Sequence, residues 1–180
     1  MSYDYNKVII ALDTPDEQKA LNLVKLLKHK VSIFKVGLEL FCSQGPEIVK
    51  KINDQGCKVF FDLKFHDIPN TVAGAARAAL STGAFMFNVH ASGGREMMRK
   101  AREIIDTACV PEKPIILAVT VLTSLDETDL NDISISKPPM EQVKTLALLT
   151  KESGLDGVVA SPKEITAIRE AVGQDFIIVT

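Results

Sequence analysis

Short apolar segments recur along the chain roughly every 20 to 40 residues, and each is followed by sequence that favours a helix. The segment 8–12 is almost continuously apolar, which is typical of parallel strands covered on both faces. Strands that alternate with helices predict a parallel sheet with right-handed crossovers. Seven such units, with polar residues at the strand ends, favour an α/β TIM (β/α)8 barrel over an open sheet.

The length of the chain sets the expected extent of this barrel. Eight βα units usually take about 250 residues, so the 180 residues present cover about seven of the eight. We interpret residues 1–180 as a single (β/α) barrel domain. The last predicted strand, 176–180, would leave the barrel with an open edge. We therefore expect the sequence to be truncated at its C-terminal end, or to be a fragment of a longer chain.

Composition excludes several classes of function. A net charge of −2 gives no reason to expect nucleic acid or an anionic membrane as a partner. No apolar run approaches the length of a membrane span, and the first residues are polar, so we expect a cytoplasmic protein. The three cysteines are too widely spaced to suggest a disulfide framework or a metal site.

The stretch 62–71, Asp-Leu-Lys-Phe-His-Asp-Ile-Pro-Asn-Thr, follows an apolar strand and carries the most distinctive chemistry of the chain. Side chains alternate along a strand, so Asp62 and Lys64 point the same way, into the barrel, with Asp67 in the loop beyond. Charges clustered in a partly dry pocket perturb one another's pKa, as in active sites. The pattern Asp-x-Lys-x-x-Asp alone fits an active site or a structural ion-pair network equally well.

Two further charged residues lie in or after apolar strands. Lys35 stands between Phe34 and Val36, and a lysine is rarely buried without a partner. We predict that it faces the barrel and meets a carboxylate; the alternative is a lysine that reaches solvent at the rim. Asp13 ends the first strand, where it either binds substrate or caps the helix that begins near Pro15.

The chain as a whole resembles the orotidine 5'-phosphate decarboxylase family, from Val8 to Thr180. Besides the stretch 62–71, the matching landmarks are Ala11-Leu12-Asp13, Lys35-Val36-Gly37, Asn88-Val89-His90-Ala91-Ser92-Gly93-Gly94, residues 119–124 and residues 154–159. The resemblance implies a cofactor-independent decarboxylation of orotidine 5'-phosphate to UMP, the last step of de novo pyrimidine nucleotide synthesis. It also implies that no metal is needed.

The resemblance assigns roles to the charged residues. Lys64 would stabilise and protonate the carbanion at C6 of the pyrimidine, and Lys35 and Asp13 would contact the ribose. Asp62 would lie near the departing carboxylate, where it either repels that group or holds Lys64 charged and aimed. The other residues implied at the substrate are Leu63, Phe65, His66, Asp67, Ile68, Pro69, Asn70, Thr71 and Thr123.

The resemblance further implies a homodimer. Asp67, together with Ile68 and Thr71, would reach the partner subunit's site. Thr123 and Ser124 match the position that contacts the pyrimidine, although an ordinary turn or helix cap would explain them as well. The residues that hold the phosphate would follow Thr180 in the family, so none can be named in this sequence.

Two other functions remain open at this stage. A sugar-phosphate lyase or synthase of the same superfamily shares the Asp-x-Lys-x-x-Asp core but uses Mg²⁺; residues 68–71 and 123–124 favour the nucleotide enzyme. Such a rival would lose activity in EDTA. The second alternative is an inactive barrel fragment that serves as a binding module.

His66 and His90 lack a third ligand at suitable spacing, so they make a poor metal site.

Overall fold

The computed structural model describes residues 5–180, in which seven β-strands and eight α-helices follow one another. The strands are β1 (Ile9–Ala11), β2 (Ile33–Gly37), β3 (Lys58–Phe65), β4 (Met86–His90), β5 (Ile115–Val119), β6 (Gly157–Val159) and β7 (Ile177–Val179). The helices are α1 (Glu17–Leu27), α2 (Leu38–Gln44), α3 (Glu47–Asn53), α4 (Pro69–Ser81), α5 (Gly94–Asp106), α6 (Glu127–Asp132), α7 (Pro139–Glu152) and α8 (Ile165–Val172).

The strands form one parallel sheet in which each strand pairs with the next one along the chain. Their order is β1-β2-β3-β4-β5-β6-β7. A parallel connection needs a crossover, and here at least one helix lies between every two neighbouring strands. This sequential order is that of a barrel, whereas a doubly wound open sheet reverses its strand order at a switch point.

Each strand contributes to two separate apolar layers. Phe34, Phe61 and Phe87 pack with helix residues such as Val24 and Ile48, and therefore form the layer between sheet and helices. In the described part of the chain, the second layer contains no helix residue; Phe60, Met86 and Leu117 are buried at its centre, and residues in or next to the strands pack against them. Phe60 and Phe61 belong to different layers, as alternation along a strand requires. The second layer is the interior of the curled sheet.

Two local features differ from the sequence-based expectations. α1 is capped by Asp16, whose carboxylate accepts a hydrogen bond from the Lys19 N–H at 3.0 Å, so Asp13 is not the cap. α2 was not predicted; it begins directly after β2 and ends at Gly45, where φ is +69°. A left-handed residue of this kind commonly ends a helix.

The segment between β5 and α7 is a loop that contains the short helix α6. Asp126 caps α6 by accepting from the N–H groups of Thr128 and Asp129, and the Asp129 carboxylate accepts from the Asp126 N–H in return. The acidic residues of this loop are exposed, and two of them, Asp126 and Asp129, form the capping box of α6.

Among residues 5–180, no helix is both long and apolar enough to cross a bilayer.

Gly157, at the start of β6, lies where β6 and β7 pack closely against each other. A Cβ at this position would lie 2.3 Å from the carbonyl oxygen of Ile177. We expect Gly157→Ala to lower the free energy of unfolding by about 1–3 kcal/mol, because the backbone of β7 must shift.

Gly74, within α4, is the matched control, since a Cβ there would meet no atom within 4 Å. Gly74→Ala is expected to raise the free energy of unfolding by up to about 1 kcal/mol. Urea denaturation of both variants measures the two effects. Equal changes of the same sign would contradict the close approach of β6 and β7.

Candidate active site

The charged residues of the candidate site lie where the first strands of the sheet end. Lys35 is on β2, Asp62 and Lys64 are on β3, and Asp13 follows β1 by two residues. Gly37 of β2 stands beside Asp62 in the register of the two strands. Because all strands are parallel, their carboxyl ends share one edge of the sheet, where barrels of this type place their active sites.

These four side chains form a row in which the charge alternates and each side chain contacts the next. The Lys35 Nζ lies 3.1 Å from the Asp13 Oδ1 and 3.6 Å from the Asp62 Oδ2. The Lys64 Nζ lies 2.7 Å from the other oxygen of Asp62, Oδ1. We call this arrangement Asp13–Lys35–Asp62–Lys64 the ionic chain. Asp62 is its most buried member, with 12% of its side chain exposed.

The pKa of Asp62 reflects a competition between burial and its partners. Burial alone would raise the pKa of this carboxyl, because it disfavours the charged form. Hydrogen bonds from Lys64 and Asn88, together with the positive charges of Lys64 and Lys35, outweigh burial and hold the pKa below its usual value. Asp62 is therefore ionised at neutral pH, which keeps the ionic chain intact.

The backbone of Lys64 has an unusual conformation. Its φ is +53°, in the left-handed region, which costs about 1–2 kcal/mol for a residue with a Cβ. The pairing of β3 with β4 also shifts register here: Phe61 stands opposite Phe87, but Phe65 stands opposite Val89. Strained residues of this kind persist where the surroundings hold them, and they cluster at functional sites.

Asn88 of β4 contacts both members of the central ion pair. Its Oδ1 accepts a hydrogen bond from the Lys64 N–H at 2.7 Å, and its Nδ2 donates to the Asp62 Oδ1 at 2.6 Å. The Asn88 side chain is fully buried. One amide thus connects the backbone of Lys64 with the carboxylate of Asp62.

Two histidines stack beside the ionic chain. The ring centroids of His66 and His90 are 5.2 Å apart. Burial lowers the pKa of His90, and the neighbouring His66 and Lys64 lower it further against the opposing charge of Asp62. His90 is therefore neutral at neutral pH. Among the residues that the structure describes, no three His, Cys, Asp or Glu side chains are grouped to hold a metal ion.

The loop after β3 leaves the ionic chain and faces solvent. Asp67, Ile68 and Thr71 are all exposed, and the Asp67 carboxylate accepts a hydrogen bond from the Ile68 N–H at 2.6 Å. Pro69 and Asn70 form the first turn of α4. An exposed isoleucine therefore lies beside an exposed carboxylate in this loop.

Known proteins match this chain over nearly its whole length. A model described as "Orotidine 5'-phosphate decarboxylase / HUMPS family" matches residues 6–180. The orotidine 5'-phosphate decarboxylase of Moorella thermoacetica is 51% identical over 179 residues, which cover 97% of this chain and 71% of the relative. The corresponding protein of Nitrosococcus oceani is 48% identical over 175 residues, covering 97% of this chain and 75% of the relative.

A solved structure supports the same assignment. The crystal structure of orotidine 5'-phosphate decarboxylase from Lactobacillus acidophilus matches with a TM-score of 0.89 at 41% identity, covering 98% of this chain and 80% of that one. The chain belongs to the orotidine 5'-phosphate decarboxylase family. The family and the TIM-type fold predicted from the sequence, with seven of eight βα units, are thereby confirmed.

Within this decarboxylase-family chain, the structure brings together Asp13, Lys35, Asp62 and Lys64 as the sequence suggested. Lys35 meets carboxylates on both sides, so it is not a lysine that merely reaches solvent at the rim. Asp67 lies outside the ionic chain, and its carboxylate accepts from the Ile68 N–H instead.

The remaining residues implied by the family signature lie in three different places. Leu63 and Phe65 point away from the ionic chain and pack against the layer between sheet and helices. His66 stacks on His90 at the edge of the site. Thr123 is exposed in a turn closed by the Leu125 N–H and the Leu122 carbonyl, so turn formation and pyrimidine contact are compatible at this position.

Asn88 is the residue that the sequence interpretation missed. The sequence shows it only as the first residue of one of the family's landmarks. A signal was present, because Asn88 is the one amide in the apolar strand 86–89, and a buried amide needs hydrogen-bond partners. The partners themselves could not be named without the register of β3 against β4.

The lowered pKa of Asp62 predicts how stability depends on pH. The unfolded carboxyl titrates near pH 3.9, and the folded one titrates lower. The stabilisation from Asp62 is therefore fully present above about pH 4 and is lost as the pH falls through the folded pKa. We expect the stability advantage of the wild type over Asp62→Asn to shrink towards acid pH in urea denaturation from pH 7 to 2.5.

Asp54 provides the control for this measurement. It pairs with Lys50 at 2.8 Å on the surface, with 62% of its side chain exposed, and exposed pairs contribute little to stability. Asp54→Asn should show a much smaller dependence on pH. A constant difference between the wild type and Asp62→Asn over the whole pH range would contradict the assigned electrostatics of Asp62.

Proposed function

We propose that this protein decarboxylates orotidine 5'-phosphate to UMP through its ionic chain, with Lys64 as the central catalytic residue. The single observation that carries the proposal is the Lys64 ammonium held by a buried carboxylate at the active-site end of a barrel of this family. The reaction replaces a carboxylate on C6 of the pyrimidine with a proton.

The chemistry requires stabilisation of a carbanion. The bond from C6 to the carboxylate breaks, CO₂ leaves, and the electron pair remains on C6 in an orbital that the ring cannot delocalise. A fixed ammonium next to C6 stabilises this charge electrostatically and then donates its proton to C6. Lys64 supplies both functions in the proposal, and its neutral amine regains a proton from solvent after each turnover.

The other members of the ionic chain orient Lys64 and bind the sugar. Asp62 holds the Lys64 ammonium at 2.7 Å, which keeps it charged and aimed. Lys35 and Asp13 lie at the opposite end of the chain, where an ammonium and an exposed carboxylate suit the ribose hydroxyls. Thr123 offers a hydroxyl to the pyrimidine from its exposed turn.

The loop after β3 is proposed to complete the site of a partner subunit in a homodimer. Asp67 and Thr71 are exposed, and 67% of Ile68 is exposed beside them. Burial of an exposed isoleucine against a second copy would be favourable. We also propose a cytoplasmic location, because a phosphorylated nucleotide does not cross a lipid bilayer unaided.

The first test removes the proposed acid. Lys64→Ala is expected to lower kcat for the formation of UMP from orotidine 5'-phosphate by more than about 10⁴-fold, since it removes both the electrostatic stabiliser and the proton donor. Lys50→Ala, which removes an exposed ion-paired lysine on α3, should leave kcat unchanged.

The same assay separates the proposal from its magnesium-dependent rival. Addition of EDTA should leave the wild-type rate unchanged. Loss of activity in EDTA, or full activity of Lys64→Ala, would be incompatible with the proposed mechanism.

The second test concerns the shared site. Equal amounts of Lys64→Ala and Asp67→Ala chains are mixed under conditions in which subunit exchange is demonstrated. A random mixture should recover about a quarter of the wild-type activity, because half of the dimers are mixed and each mixed dimer has one intact site.

A mixture of Lys64→Ala with Asp62→Ala is the matched control. Both of these residues belong to the same subunit's ionic chain, so every site in every dimer carries a substitution and no activity should return. Absence of recovery in the first mixture, despite exchange, would show that Asp67 does not act across the interface.

A further inference from the structure

Asn88 is a fully buried amide in a strand that is otherwise apolar along its buried length. A buried polar side chain without partners costs stability, so such residues are retained where they make hydrogen bonds. Both ends of the Asn88 amide are used, one by the Lys64 N–H and one by the Asp62 carboxylate. Both hydrogen bonds are made with members of the ionic chain.

The position of Asn88 coincides with the break in the pairing of β3 with β4. Between the pairs Phe61–Phe87 and Phe65–Val89, three residues of β3 stand opposite Asn88 alone. The regular ladder of backbone hydrogen bonds cannot continue through such a bulge. The side chain of Asn88 replaces part of this ladder, because it accepts a hydrogen bond from the Lys64 N–H.

This contact holds the strained backbone of Lys64. With φ at +53°, Lys64 would relax to an ordinary strand conformation unless its surroundings prevented it. The same amide donates to the Asp62 Oδ1, the oxygen that also contacts the Lys64 Nζ. Asn88 therefore fixes Lys64 at its backbone and, through Asp62, at its ammonium.

We propose that Asn88 is a positioning residue that sets where the Lys64 ammonium stands relative to the reacting carbon. The inference rests on the proposed function of Lys64 and extends it to a fully buried residue that acts through Lys64 and Asp62. Small displacements of a reacting group lower rates strongly, so the loss of this amide should affect the chemical step more than substrate binding.

An amide is the side chain that suits both contacts. An aspartate of the same shape could still accept from the Lys64 N–H, but its second oxygen would face Asp62 at the present 2.6 Å separation. Two carboxylates that close together share a proton. The other charged or titratable groups around Asp62 are Lys35 on β2, Lys64 on β3 and His90 on β4.

The test compares Asn88→Ala and Asn88→Asp with a control at Thr150. Thr150 is also fully buried and donates a hydrogen bond within α7, remote from the ionic chain. Thr150→Val therefore reproduces the loss of a buried hydrogen bond without affecting Lys64. Circular dichroism and urea denaturation establish that each variant is folded.

We expect Asn88→Ala to lower kcat by about 10²-fold, the usual effect of one misplaced electrostatic group, with KM changed less than about threefold. Thr150→Val should change neither constant. The acid limb of the kcat/KM profile should move to higher pH in Asn88→Ala, and further in Asn88→Asp, because the Asp62 carboxylate loses a donor or gains a repelling neighbour.

A second readout does not depend on catalysis. The ¹³C chemical shift of the Asp62 carboxyl, followed through a pH titration, should report a higher pKa in both Asn88 variants than in the wild type. If Asn88→Ala fails to fold, Asn88→Asp, which has the same shape, provides the comparison. An unchanged Asp62 titration, or a loss of kcat no greater than in Thr150→Val, would overturn the proposal.

These readouts separate the inference from the function on which it rests. A wild-type protein that forms no UMP would refute the proposed decarboxylation, whereas the Asp62 titration would still decide whether Asn88 governs the ion pair. Normal wild-type activity with unaffected Asn88 variants would refute the positioning role alone.

Discussion

The Asp62 carboxylate, held between two ammonium groups at the end of β3, is the interaction on which the rest of the site depends. Removal of a carboxylate from water is unfavourable unless opposite charges and hydrogen bonds replace the lost hydration. Lys35, Lys64 and Asn88 provide that replacement, one from each of three adjacent strands. Since each partner comes from a different strand, the site exists only when those strands stand in their correct register.

The scaffold supplies this register through its two apolar layers. Phe60, Met86 and Leu117 fill the interior of the curled sheet below the charged residues, and the helices cover its outer face. Successive side chains of β3 point alternately into these two layers, and the same alternation places Asp62 and Lys64 on the inner side of the sheet. Hydrophobic packing thus determines the direction of the charged side chains, although it makes no contact with their charged ends.

Much of the site could be predicted because it follows from periodicity and from the cost of burying charge. Alternation placed Asp62 and Lys64 on one face, and the apolar neighbours of Lys35 required a carboxylate partner for it. The bulge opposite Asn88 could not be predicted, since it depends on how two strands distant in sequence align. α2 was missed because its seven residues are too few to show helical periodicity. The N-cap of α1 could not be predicted either. Several residues in 13–16 could cap this helix, and only the backbone geometry selects Asp16.

The strictly sequential order of the strands has a consequence for how the protein folds. Every strand pairs with the next one along the chain, but each pairing spans a crossover, as between Ile9 and Ile33 or Leu117 and Gly157. Parallel pairings of this kind form slowly, because the chain between two strands has to close before their contacts are made. All members of the ionic chain, with Asn88, lie between residues 13 and 88. The charged centre therefore requires the crossovers between β1 and β4 to close, and its ion pairs and hydrogen bonds all come from residues that precede β5.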